Sequence, residues 1–137
     1  MVSAVRCYLS SACGCCLCER KEKKIEMTEV YRICKLAMEC IVADNYEPLQ
    51  KENALTRVPE SDIKRVLAEY NPDESPVMPP DGYIEKAAYI NTYTDGSGYH
   101  VGINLWYEAG ESDLTLQLDI RKKDNRFVFI IDDLHVL

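Results

Sequence analysis

The histidines and the carboxylates near the C-terminus are the residues whose types fit acid–base chemistry. The chain has two histidines, His100 and His135, and His135 follows the pair Asp132-Asp133. A carboxylate whose pKa is raised by burial can act as a general base beside an imidazole. Asp133, His135 and Trp106 are therefore the candidate catalytic residues, although strand alternation would place Asp132 on the opposite face from Asp133 and His135. The plainer alternative is that the two aspartates bend and cap the last strand.

Other catalytic arrangements find little support in the sequence. In a four-stranded meander, His100 would open the second strand and His135 would lie near the end of the fourth, so we expect them at opposite ends of the sheet and not in one metal site. There is no nucleophile elbow, and Gly96, Gly98 and Gly102 belong to a hairpin and its second strand rather than to a phosphate-binding loop. The sequence therefore favours a protein without a cofactor and without enzymatic activity.

Clustered thiols near the N-terminus form a second chemical feature. Two overlapping Cys-x-x-Cys spacings are made by Cys13, Cys15, Cys16 and Cys18. Thiolates at this spacing can hold a soft metal or form a redox pair, but no second knuckle follows. Acylation beside the basic run of residues 19–24 is an alternative, and it is the one condition under which we expect a membrane partner. The plainest interpretation is a disordered, basic, cysteine-rich extension over residues 1–26 in a reducing cytoplasm.

Aromatic residues dominate the region of the first two predicted strands. The residues Tyr89, Tyr93, Tyr99, Trp106 and Tyr107 lie in or beside these strands. Those that face away from the helices would form an aromatic, hydrogen-bonding surface suited to protein recognition. Tyrosine is also a good strand residue, so cross-strand packing explains the same pattern. We treat these five residues as the candidate binding surface.

Charge is divided unevenly along the chain. The first 24 residues hold five basic and two acidic side chains, a net charge of +3, so the remainder carries −10 of the total of −7. Nucleic acids are bound through Lys and Arg, so an acidic body makes nucleic acid an unsuitable partner and a basic protein a suitable one. The alternatives are that the acidic charge serves solubility alone, or that the sheet pairs two copies as a homodimer.

The elements before residue 83 are predicted to be helical. An apolar stripe is formed by Val30, Ile33, Cys34, Ala37 and Ile41, with Thr28 as its expected N-cap, and the helix should end near residue 44. A short helical turn is expected around residues 46–50. A further helix is expected to open at Pro59, which suits the first helical position. Residues 71–82 contain four prolines and are predicted to form a loop.

The second half is predicted to form an antiparallel meander. Strand-like runs cover residues 83–93, 99–107, 113–121 and 126–137, and hairpin residues separate them. In the third run the apolar residues alternate with polar ones, and the inward set is Leu114, Leu116, Leu118 and Ile120. Helices covering one face of such a sheet give an α+β fold in one domain over residues 27–137.

Two resemblances follow from these observations. The order of helix, helix, Pro-rich loop and curved meander resembles the NTF2-like, or cystatin-like cone, architecture. The endings SDLTLQLDIR at residues 112–121 and IDDLHVL at residues 131–137 resemble those of a family of small uncharacterised bacterial proteins. The first resemblance implies a curved four-stranded sheet under the helices. Enzymes of that type often carry a carboxylate and a histidine or tyrosine in a pocket between helices and sheet, which here implies Asp133, His135 and Trp106.

The sequence thus leads to two functional hypotheses. The first is a small, acidic, non-enzymatic binding module, an immunity or accessory protein of a bacterial cytoplasm, that docks a basic protein partner. The second is an NTF2-like enzyme or small-ligand binder that uses the pocket between helices and sheet.

Overall fold

The computed structural model describes residues 13–136, with side chains from residue 25 onward. The elements follow in the order α1 (Cys13–Ala43), α2 (Glu47–Lys51), α3 (Glu60–Tyr70), α4 (Tyr83–Ala87), β1 (Tyr89–Thr92), β2 (Gly98–Tyr107), β3 (Gly110–Lys123) and β4 (Arg126–Val136). The described part divides into two compact units between Arg32 and Ile33, so α1 contributes to both. Within the part that is described, every helix is too short or too polar to cross a lipid bilayer.

Helix α1 begins earlier than the sequence predicts. Its first residue is Cys13, so Thr28 is an interior residue and not an N-cap. The physical reason is that residues 19–27 are mostly Glu, Lys and Arg, which have high helix propensity and no need of a cap when the helix continues. The predicted metal, redox and acylation roles of Cys13, Cys15, Cys16 and Cys18 concern side chains outside the described part, and they stay predictions.

The C-terminal end of α1 agrees with its predicted apolar stripe. The predicted residues Val30, Ile33, Cys34, Ala37 and Ile41 are all buried. The helix ends where Asp44 adopts a left-handed conformation with φ 53°, and the amide of Asn45 donates to the carbonyl of Cys40 at 3.0 Å. Cys34 and Cys40 are buried free thiols, and burial raises the pKa of the Cys34 thiol to about 12. Their position in the core supports a packing role.

The segment after the Pro-rich loop corrects one prediction. Residues 83–93 were expected to be a single strand, but the chain forms helix α4 over Tyr83–Ala87 and a strand only over Tyr89–Thr92. Glu85, Lys86 and Ala87 favour a helix over a strand. Gly82 precedes this helix with φ 85°, a left-handed conformation that suits glycine. The first strand is therefore short.

The sheet is an antiparallel meander in the order β1-β2-β3-β4, as predicted, and β1 and β4 are its edges. Alternation places one face of each long strand in the core. The buried inner-face residues are Tyr99, Val101, Ile103, Leu105, Tyr107, Leu114, Leu116, Leu118, Ile120, Phe129, Ile131 and Leu134. Helices on the N-terminal side followed by this sheet confirm the α+β fold class.

A β-bulge in β4 interrupts the alternation. Gln117 pairs with Asp133 and the next residue, Leu118, pairs with Ile131, so Asp132 is an extra residue. Bulged residues bend the strand and turn successive side chains toward one face. The prediction that Asp132 lies on the opposite face from Asp133 assumed unbroken alternation, and the bulge makes it wrong. The bulge lies at the aspartate pair, as the alternative prediction requires, while bending and capping of the strand by these residues stay predictions.

Candidate functional site

The sheet face opposite the core carries most of the polar side chains of the second unit. We call it the outer face, and define it by the register of the strands: Tyr89, Asn91, His100, Gly102, Asn104, Trp106, Glu111, Thr115, Gln117, Asp119, Arg121, Val128, Ile130, Asp132, Asp133 and His135. The residues that alternate with these on β2 and β3 are buried in the core. Two hydrogen-bonded clusters occupy this face.

The first cluster is centred on Asp132. One carboxylate oxygen accepts a hydrogen bond from Arg57, and the other lies 3.5 Å from Nε2 of His100. Arg57 belongs to the loop between α2 and α3, and this loop is fixed to the edge of β4 because the amide of Ile131 donates to the carbonyl of Ala54 at 2.8 Å. The bulge therefore presents a carboxylate that orients both an imidazole and a guanidinium. These three residues belong to a larger group that we call the His100 cluster: Arg57, Tyr93, His100, Asp119, Arg121 and Asp132.

Tyr93, Asp119 and Arg121 complete the His100 cluster. The Tyr93 hydroxyl donates to Asp119 at 2.8 Å, Arg121 donates to the same oxygen at 2.9 Å, and the guanidinium lies 4.3 Å from the centre of the Tyr93 ring. Burial and the hydrogen bond to Asp119 raise the pKa of Tyr93. The ionised form of this tyrosine is disfavoured, so its hydroxyl acts as a hydrogen-bond donor here.

The second cluster surrounds Glu111, and we call it the Trp106 cluster. Tyr83 donates to Glu111 at 2.6 Å and Asn104 donates to the same oxygen at 3.1 Å, while Thr115 donates to Asn104 at 2.8 Å. Tyr83 also packs edge-on against Trp106 with ring centres 5.1 Å apart. Burial and the bond to Glu111 raise the pKa of Tyr83 to about 12, and the same hydrogen bond lowers the pKa of Glu111. This network fixes α4 to β2 and β3.

His135 forms a separate contact with Asp133. Nδ1 of His135 lies 2.8 Å from a carboxylate oxygen of Asp133, but that nitrogen makes no hydrogen bond of normal geometry, so the contact is electrostatic rather than directed. The other Asp133 oxygen accepts from the amide of Leu134 at 2.8 Å. His135 lies opposite Thr115 and His100 lies opposite Asp119, so the imidazoles occupy different parts of the sheet. Among the described residues, no cluster of ligands fits a metal ion.

The region that contains these clusters matches a known family. A model of a domain of unknown function, DUF7668, covers residues 38–137, which is more than two thirds of the chain. The chain belongs to the DUF7668 family. Comparisons with curated proteins and with solved structures find no match. Both outer-face clusters lie inside the DUF7668 region, whereas the clustered cysteines near residue 15 lie outside it.

The three candidate catalytic residues all lie on the outer face of the DUF7668 domain, but they do not form one group. Asp133, His135 and Trp106 were expected between the helices and the sheet, but their neighbours Leu134, Leu105 and Tyr107 are the side chains that enter the core. Asp133 and His135 are in contact with each other. Trp106 contacts Tyr83 instead. The set therefore does not surround one pocket beneath the helices.

The candidate binding surface of the DUF7668 domain divides in two. Tyr99 and Tyr107 are 6% and 5% exposed because their positions on β2 alternate into the core, so they are removed from that surface. Tyr89 is 68% exposed and lies opposite Gly102, whose lack of a side chain leaves the ring uncovered. Tyr93 and Trp106 are partly exposed on the same face. The surface consists of Tyr89, Tyr93 and Trp106.

Sequence reasoning missed the contacts that join distant segments. Arg57 and Asp132 are far apart in the chain, and His100 was considered only as a partner of His135. The adjacent aspartates are the one signal available, because two polar residues in succession within a strand indicate a bulge, and a bulge directs both toward one face. Arg57 itself carries no such signal.

Proposed function

We propose that this DUF7668 domain is a non-enzymatic binding module that docks a basic protein through its outer face. The observation that carries the proposal is the exposure of Tyr89, a large aromatic side chain on the edge strand β1 of the outer face, which is 68% exposed. Exposed tyrosines are enriched among residues that dominate binding energy. Residues beyond the first 24 carry a net charge of −10, which attracts a basic partner over long range.

The internal pairing of the outer face supports a preformed surface. Asp119, Asp132 and Glu111 each accept two side-chain partners, so these carboxylates hold their neighbours in place. A side chain that is already ordered loses less conformational entropy on association. Asp133, with 53% of its side chain exposed, is more accessible than Asp119 and Asp132, at 14% and 23%. Contact with the partner is therefore assigned to Tyr89 and Asp133, with Tyr93 and Trp106 beside them.

The test is capture of a partner from the organism that encodes the chain, followed by affinity measurement with matched variants. Tyr89→Ala and Asp133→Asn should each weaken binding, Tyr89→Ala by about tenfold or more. Ile25→Ala is the control for Tyr89→Ala, because Ile25 on α1 is 69% exposed. Asp81→Asn is the control for Asp133→Asn, because Asp81 lies on an exposed loop. Affinity should also fall as salt rises.

Two results would reject this function. One is a partner whose affinity is unchanged by Tyr89→Ala and Asp133→Asn, since its binding site must then lie elsewhere. The other is self-association through the same face: a homodimer that Tyr89→Ala dissociates would mean that a second copy is the occupant. In the cell, this binding module would serve as an immunity or accessory protein. We therefore expect the captured partner to be a basic, toxin-like protein whose activity the chain suppresses.

A second proposal is an NTF2-like enzyme or small-ligand binder. The contact between His100 and Asp132 favours it, because a carboxylate that orients an imidazole is an arrangement used for general-base catalysis. Its residues are His100 and Asp132 on the outer face rather than Asp133 and His135. An activity that His100→Gln abolishes and His135→Gln retains would support this proposal against the binding module.

A further inference from the structure

A pocket of about 450 Å³ lies where the chain segment after α2 meets the β3–β4 hairpin. Its lining residues are Lys51, Glu52, Asn53, Lys123, Asp124, Arg126 and Val128. The volume falls within the range of about 300 to 1,000 Å³ that is typical of small-molecule sites. We call it the hairpin pocket, and none of its lining residues takes part in the two outer-face clusters.

Positive charge is concentrated around the hairpin pocket. Of the eleven basic residues after residue 24, five are found in this part of the fold: Lys51, Arg121, Lys122, Lys123 and Arg126. Among the described residues, Lys123 and Arg126 form no ion pair, although Glu52 and Asp124 line the same pocket. Lys51 lies 3.4 Å from Glu47, but both side chains are largely exposed, and such pairs contribute little. The three cations and two carboxylates of the lining leave it with a net positive charge.

The positions of these cations are unfavourable for the fold. Lys123 and Arg126 are directly opposed across the hairpin, and like charges at opposed positions destabilise a sheet. The turn between them needs neither cation, because Asp124 and Asn125 form it with φ 52° and 65°, the left-handed conformations of a two-residue hairpin. The fold therefore gains nothing from this pair of cations, whereas a bound anion would be stabilised by both.

Both walls of the hairpin pocket are fixed by backbone hydrogen bonds. The amide of Asn53 donates to the carbonyl of Gln50 at 3.0 Å, and the amide of Ala54 donates to that of Leu49 at 2.9 Å. The carbonyl of Ala54 then accepts from Ile131 in β4 at 2.8 Å, which ties this wall to the strand that continues from the hairpin. The site is formed before a ligand arrives, so binding costs little ordering entropy.

We propose that the hairpin pocket binds the phosphoryl group of a small ligand, with Lys123 and Arg126 as its principal contacts and Lys51 opposite them. Ammonium and guanidinium groups make strong, charge-assisted hydrogen bonds to phosphoryl oxygens. The carboxylates of Glu52 and Asp124 reduce the net positive charge of the pocket, and they accept hydrogen bonds from hydroxyl groups. This lining fits a phosphorylated polyol, and free phosphate shares the same phosphoryl chemistry.

The test is an NMR titration of the full chain with ribose 5-phosphate, inorganic phosphate and ribose at constant ionic strength. We expect saturable shifts of the amides of residues 51–53 and 123–128 with a phosphoryl-bearing probe, and none with ribose. Stronger binding of ribose 5-phosphate than of inorganic phosphate identifies a phosphorylated polyol as the ligand, and the reverse order identifies free phosphate.

Matched double variants make the titration decisive. Lys123→Ala with Arg126→Ala should raise the dissociation constant by about tenfold or more, since each charge-assisted hydrogen bond contributes strongly to affinity. Lys35→Ala with Lys86→Ala removes the same charge from exposed sites elsewhere and should leave the dissociation constant unchanged. Equal weakening by both double variants, shifts spread over the whole domain, or no saturable response would overturn the proposal.

Discussion

The charged side chains of the His100 cluster on the outer face are paired with opposite charges, whereas Lys123 and Arg126 of the hairpin pocket form no ion pair within the described part of the chain. On the outer face, Asp119 and Asp132 each meet two donors, and every cation that touches them is part of a network. At the hairpin pocket, Lys123 and Arg126 face each other across the strands and form no ion pair among the described residues, although Glu52 and Asp124 line the same pocket. Paired charges stabilise the architecture, and unpaired charges are available to a ligand. The comparison assigns the paired charges of the outer face to holding a preformed surface, and the unpaired charges of the hairpin pocket to contact with a ligand.

Removing Asp132 should have the largest effect. Asp132→Ala leaves Arg57 and His100 without their shared acceptor, and because both are partly exposed to water we expect the free energy of unfolding to fall by about 0.5 to 1.5 kcal/mol. Asp81→Ala is the control, because Asp81 is exposed and forms no ion pair among the described residues; its effect should stay within about 0.5 kcal/mol. Urea denaturation measures both. Equal effects of the two variants would show that the pairing on the outer face is not structural.

The hydrogen bonds between tyrosine hydroxyls and carboxylates should make the free energy of unfolding fall at high pH. The pKa values of Tyr83 and Tyr93 are raised above the value of about 10 in an unfolded chain, Tyr83 to about 12. The folded state therefore holds these protons more tightly, so its stability is full below about pH 10 and is lost as pH rises through the folded pKa values. Absorbance at 295 nm should show tyrosines that ionise later in native than in denatured protein.

Tyr83→Phe provides the control for this titration. It should remove one of the late-ionising groups and flatten the loss of stability at high pH. If the native and denatured titration curves coincide, the tyrosine hydroxyls are not engaged as donors and the networks of the outer face are wrong.

Reversing one charge at the hairpin should have the smallest effect, with the opposite sign. Lys123→Glu replaces a repulsive cross-strand pair with an attractive one, so the free energy of unfolding should rise by about 0.2 to 1 kcal/mol. Lys35→Glu, at an exposed helical position, is the control and should give no such gain. Destabilisation by Lys123→Glu would mean that the lysine supports the fold, and the contrast between the two regions would fail.

The fold could be predicted from the sequence wherever the apolar residues of a segment follow the spacing of a single type of secondary structure. The alternation of Val101, Ile103 and Leu105 identified the faces of β2, because strand side chains alternate whatever the partners are. The α4 segment was mispredicted because Tyr83 and Ile84 suit a strand, while the following Glu, Lys and Ala decide for a helix. The start of α1 was mispredicted because a good capping residue inside a strong helix-forming run is not used as a cap.

The sites could not be predicted to the same extent, since they depend on contacts between distant segments. Arg57 meets Asp132 only because the loop after α2 is held against β4, and the hairpin pocket forms only because that loop and the hairpin come together. Local sequence patterns contain neither contact. Tyr89, by contrast, was correctly placed on the surface from its strand position, although the same argument was applied too broadly to Tyr99 and Tyr107.

The division between structural and binding charges is tested most directly by urea denaturation. The wild type and the Lys123→Ala, Arg126→Ala double variant are compared with and without ribose 5-phosphate. Without ligand, the double variant should be at least as stable as the wild type. With ligand at a hundred times its dissociation constant, the wild type should gain about 2.7 kcal/mol, and the double variant should gain far less. A double variant that is destabilised without ligand, or that gains as much as the wild type, would contradict the account.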